Sequence, residues 1–124
     1  MYAIKTTGRI MAGLLLAGAG FTANSEVFLP DGNDWGKSSQ GEQIAYLLGV
    51  SNTVTIGYIS DEKRLPGNQN TFTHRAAQGL RGTSVETAVS IIDAWYQKNP
   101  GQLDKPVLRV LWEQIGKPRL KGRD

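Results

Sequence analysis

Cysteine is absent from the 124 residues and histidine occurs once, at position 74. The first absence excludes disulfides, thiolate metal sites and a lipid-anchored N-terminal cysteine. The two together leave no zinc site of the usual ligand count unless carboxylates dominate it. Also missing are a glycine-rich phosphate loop followed by Lys-Ser or Lys-Thr and a glycine-flanked serine elbow. Of the carboxylates, Glu86 and Asp93 fall at exposed positions of an expected helix and Asp104 at a cap. This inventory points away from an enzyme, and the sequence calls for no cofactor and no metal. No internal repeat or low-complexity segment is present.

What is present begins with an export signal. Lys5 and Arg9 precede the apolar run from Ile10 to Gly20, and small residues follow at Ala17-Gly18-Ala19 and Ala23-Asn24-Ser25. A basic start, a short apolar run and small residues at a cleavage position describe a secretory signal peptide, 1–25. Localisation in the periplasm is the expectation. Removing that segment takes Lys5 and Arg9 from fourteen basic residues and none from eleven acidic ones, which leaves a net charge of +1. The pI of about 9.3 therefore overstates the basic character, and no global field for nucleic acid remains. A small exported domain without disulfides depends on packing, and a second copy of itself is a common supplement.

Two amphipathic segments organise the rest. Val85, Ala88, Val89, Ile92, Trp95 and Tyr96 share one face at helical spacing, with Thr83 and Glu86 spaced as a capping box and Asn99-Pro100 as the stop. Val107, Leu108, Leu111, Trp112 and Ile115 make the second stripe, with Asp104 as cap and Gly116 and Pro118 as its end. A third helix is expected from Gln40 to Asp61, capped by Ser38 or Ser39 and carrying Tyr46, Leu47, Val50, Val54 and Tyr58. Gly49, Gly57 and the β-branched run Val54-Thr55-Ile56 oppose it. The fold class is all-α: a small bundle of three main helices over 40–118, with a long loop between the first and second.

The segments around these helices read as follows. Residues 26–39 form an N-terminal leader in which Trp35 plugs the core. Residues 119–124 form a basic, frayed tail. Glu62 to Gly82 lacks an apolar period beyond a single turn at Ala76-Ala77-Gln78, and holds the turn signature Leu65-Pro66-Gly67-Asn68. A loop of that length in a small domain is functional or a linker. It carries Lys63, Arg64, Arg75 and Arg81 and no acid from Lys63 to Val85. The partner-binding candidates are Lys63, Arg64, Asn68, Asn70, Phe72, His74, Arg75 and Arg81, with Phe72 as anchor and His74 as an exposed polar contact. A homodimer face is assigned to Tyr46, Val50 and Tyr58, and Trp95 and Trp112 to the core of the helical pair.

The order of these pieces resembles a known family. A helix ends in Gly57-Tyr58-Ile59-Ser60-Asp61, a variable loop follows, then Gly82-Thr83-Ser84, a helix closing on Asp93-Ala94-Trp95-Tyr96-Gln97-Lys98-Asn99-Pro100, and an apolar last helix. Over about 42–118 this is similar to the Rap/Tai family of periplasmic immunity proteins, which protect against type VI secretion amidase effectors that cut cell-wall peptides. The resemblance implies a helical bundle, often dimeric, that inhibits a peptidoglycan amidase by pushing a loop into its cleft. Family members usually carry cysteines before the second of these helices and after the last. This chain has Gly79-Leu80-Arg81-Gly82 and Gly116-Lys117-Pro118 there, so no disulfide carries over. Two rival readings are a small chaperone-like periplasmic protein using an apolar dimer face and an accessory subunit of an envelope complex.

Overall fold

The computed structural model describes residues 28–121. The expected signal peptide and residues 122–124 lie outside them. The described part is all-α, and its one extended pairing is an isolated antiparallel bridge between Asp31 and Pro106. Five helices follow one another: α1, Gly32–Lys37; α2, Gln40–Arg64; α3, Phe72–Leu80; α4, Val85–Lys98; and α5, built of Val107–Leu111, a π-helical segment Trp112–Gly116 and Lys117–Leu120. Among them no helix is long and apolar enough to cross a membrane.

The expected long helix forms. Ser39 accepts from the Glu42 amide at 3.2 Å while the Glu42 carboxylate takes the Ser39 amide at 2.7 Å. That reciprocal cap starts α2. Its interior glycines and β-branched run are overridden by packing, and the helix stops at Leu65 because Pro66 follows. Gly57 is where α2 meets α3: a Cβ there would stand 2.5 Å from Thr73 Cγ2.

Three main helices become five. The leader holds α1, opened by a capping box between Asp31 and Asp34. Its Trp35 is 5% exposed, so the plug is real. The indole Nε1 donates to Asp93 Oδ1 at 2.6 Å, which makes Asp93 a half-buried acceptor and not a solvated helix position. The greater correction is α3. Glu62 to Gly82 is not a long loop: α2 occupies its start, and nine residues from Phe72 form a helix capped by the Thr71 hydroxyl on the His74 amide. Only the turn at Leu65–Thr71 remains, with Gly67 at φ +78° and Asn68 Oδ1 accepting from the Asn70 amide at 2.9 Å.

The helical pair behaves largely as the stripes predict. Ala88, Val89, Ile92 and Tyr96 of α4 pack with Val107, Val110, Leu111 and Ile115 of α5, with Trp35 and Leu47 closing the core. The cap of α4 is Ser84, whose hydroxyl accepts from the Thr87 amide at 3.1 Å; Thr83 and Glu86 do not form the expected box. Asn99 ends α4 with its side-chain amide on the Trp95 carbonyl at 2.8 Å. Asp104 caps nothing, since Pro106 precedes α5 without a side-chain cap. Gly116 and Pro118 do not end α5; it runs on to Leu120, which is buried, so the basic tail is helical at its start. Val107, Val110 and Leu111 carry the buried stripe at ordinary helical spacing, which leaves Trp112 half-exposed beside it. The widened turn at Trp112–Gly116 then shifts the register so that Ile115 and Leu120 are both buried. Trp95 is half-buried too, edge-on to Tyr96 at 5.2 Å between ring centres.

Candidate functional site

The described residues form an apolar groove of about 860 Å³. Ala45, Tyr46, Gly49, Val50, Thr53 and Val54 of α2 form one wall, and Leu108, Arg109, Leu111 and Trp112 of α5 the other. Ala76 and Leu80 of α3 add to the lining. The strand-like stretch Phe28–Pro30 closes one end, held against α5 by the Val107 amide on the Pro30 carbonyl at 2.8 Å. Phe72 stands at the other end.

Phe72 is the most exposed large apolar residue described, at 73%. It is the first residue of α3, and its ring lies 6.4 Å from that of Trp112. The Thr71 cap fixes the backbone there. The next residue, Thr73, is tied to α2 through its hydroxyl, which donates to Asp61. That bond, a second from Thr71, and the nearby charge of Arg64 hold the Asp61 carboxyl below its ordinary value. An exposed aromatic on so firmly fastened a turn is a preorganised contact, because little backbone freedom remains to be lost on binding.

The other expected contacts divide. Lys63 and Arg64 end α2, Asn68 and Asn70 sit in the turn beside Phe72, and all four are exposed. Arg75 is half-buried on α3. Arg81 is exposed beyond α3, and its carbonyl accepts from Arg119. His74 is not a surface contact. It is 6% exposed, its ring centre lies 5.0 Å from that of Tyr58, and its Nδ1 is 3.5 Å from Glu62 Oε1. Its role is to pin α3 to α2. Of the three residues assigned to a dimer face, Tyr46 and Val50 line the groove and Tyr58 packs on His74. Burial raises the Tyr46 hydroxyl above its ordinary value, which keeps it protonated.

At the groove's edge Glu113 of α5 accepts from Lys105 Nζ at 2.6 Å and from Arg109 Nε at 3.0 Å. These two bonds lower its pKa. Lys105 also lies 4.9 Å over the Trp95 ring. The groove itself was not expected from the sequence. Its signal is the i, i+4 pair Ala45 and Gly49, small residues that leave one flank of α2 without side chains, and a Cβ on Gly49 would meet nothing within 4 Å. No protein-family model, curated protein or solved structure matches this chain.

Proposed function

We propose that this protein is an exported inhibitor of the Rap/Tai immunity kind, which binds a cell-wall amidase and blocks its cleft. The observation that carries the reading is Phe72: a large aromatic ring, three-quarters in solvent, on a capped turn braced by Trp112 and the Thr73–Asp61 bond. Such a residue is the usual anchor of a protein interface. In place of a flexible loop, the inhibitory element is the Leu65–Thr71 turn with the first turn of α3. Asn68 and Asn70 offer polar contacts beside the anchor, and Lys63, Arg64 and Arg81 steer approach toward an acidic rim. His74 acts from beneath, by holding α3.

The test is inhibition of peptidoglycan-peptide hydrolysis by type VI amidase effectors. Phe72→Ala should weaken inhibition by about 2 kcal/mol, roughly thirtyfold, with the melting temperature unchanged because the ring is exposed. Arg64→Ala or Arg81→Ala should slow association, an effect that fades as salt rises. Full inhibition by Phe72→Ala would move the site elsewhere, and failure of the wild-type chain to inhibit any such amidase would end the reading.

A further inference from the structure

The groove between α2 and α5 has features that a contact at Phe72 does not use. Its volume of about 860 Å³ lies in the range of roughly 300–1,000 Å³ that small-molecule sites occupy. From Ala45 to Val54 the α2 wall rises about 14 Å, at 1.5 Å per residue. Along that length the lining is aliphatic or aromatic, and the Thr53 hydroxyl already donates to the Gly49 carbonyl at 2.8 Å. An extended peptide laid there would leave its amides unpaired, which is costly. A hydrocarbon tail has no such requirement.

Charge appears at one place. Arg109 is the one charged side chain among the described residues that line the groove. It shares the Glu113 carboxylate with Lys105, so two cations meet a single anion and one positive charge is unmatched within that triad. The Arg109 side chain is 68% exposed, which leaves its outer nitrogens accessible to a further anion. We propose that the groove is a binding site for a single-chain anionic amphiphile, with the tail along Ala45, Gly49 and Val54 and the head group at Arg109. This site stands independently of the amidase reading.

Dodecanoate below its micelle concentration is the probe, and quenching or enhancement of Trp112 fluorescence the readout, with Trp112→Phe to assign the signal. Saturable binding at one molecule per chain is expected. Gly49→Leu fills the groove where a Cβ meets nothing, so it should weaken binding at least about tenfold while the melting temperature holds or rises, because leucine is the better helix former. Arg109→Gln should weaken dodecanoate but leave dodecanol unchanged. The proposal is overturned if dodecanoate does not saturate, if Gly49→Leu binds as wild type, or if dodecyltrimethylammonium binds more tightly than dodecanoate. It is equally overturned if sedimentation shows a dimer that Gly49→Leu dissociates, or if an amphipathic helical peptide takes the groove and dodecanoate does not.

Discussion

Single side chains decide more of this protein's behaviour than their positions in the apolar stripes suggest. Tyr96 is buried against Val107 and its neighbours, and its hydroxyl donates to the Lys105 carbonyl at 2.6 Å. Burial, then the nearby Asp31 carboxylate, drives its pKa far above the ordinary tyrosine value. The folded state therefore keeps a proton that the unfolded chain releases. The stability this contributes is fully present below the unfolded value of about 10 and is lost as pH rises from there toward the folded one. Tyr96→Phe should cost about 1–2 kcal/mol at neutral pH through the unpaired carbonyl, and the gap to wild type should narrow above pH 10 in denaturant titrations. Glu113 works in the opposite direction. Its pKa is lowered by the hydrogen bonds from Lys105 and Arg109. Its contribution holds above the ordinary glutamate value of about 4.3 and disappears as pH falls through the lowered value. Glu113→Gln should flatten part of the loss of melting temperature on acidification. Asp61, shifted the same way, retains the remainder.

Helix α3 shows what periodicity does not report. Its buried face consists of His74, Ala76 and Gly79: one polar and two small residues. Phe72, Ala76 and Leu80 do recur at helical spacing, but Phe72 is exposed and the stripe is only nine residues long behind a turn signature, so it reports little of the buried face and the stretch reads as a loop. Its smallness is what packing requires. A Cβ on Gly79 would stand 2.7 Å from the Gly116 carbonyl oxygen, because α3 and α5 cross backbone to backbone at that point. Gly79→Ala should gain up to about 1 kcal/mol of helix propensity and lose more than that to the forced separation. A net drop in melting temperature is expected, whereas Gly49→Ala, in open space, should raise it. The π turn at Trp112–Gly116 is the second feature hidden from a 3.6-residue stripe. The inserted residue shifts the register beyond it, so that Leu120 is buried five residues after Ile115. The long helix α2 was legible in spite of its glycines from the stripe of Tyr46, Leu47, Val50, Val54 and Tyr58 and a serine cap, although its last turn, to Arg64, reads in the sequence as loop.

For the whole molecule, α3 changes what can be removed. A loop between helices can be shortened at small entropic cost. A helix that packs on α2 through Gly57 and Thr73 and on α5 through Gly79 and Gly116 cannot. Replacing residues 66–81 with a short Gly/Ser linker should abolish the cooperative thermal transition and the near-ultraviolet circular dichroism of the fold, where removal of a true loop would leave both. If that variant melts as wild type, α3 is not part of the core. The same packing places Phe72 at the rim of the groove, so the contact and the groove are both products of one helix. The substitutions that separate function from folding are those in open space, Phe72→Ala and Gly49→Leu, and not deletions.

The sequence by itself determined the all-α class, the presence and start of α2, the apolar pairing of α4 with α5 and the burial of Trp35. Each rests on large apolar residues at helical spacing, or on cap and stop residues that act within a few positions. The tertiary structure alone decided α3, the register after Trp112, the burial of His74 and the groove. Those depend on small residues at helix crossings and on a polar pair, His74 with Glu62, brought together from two helices. What glycine, alanine and histidine contribute is set by the surface that comes to lie against them, and only folding supplies that surface.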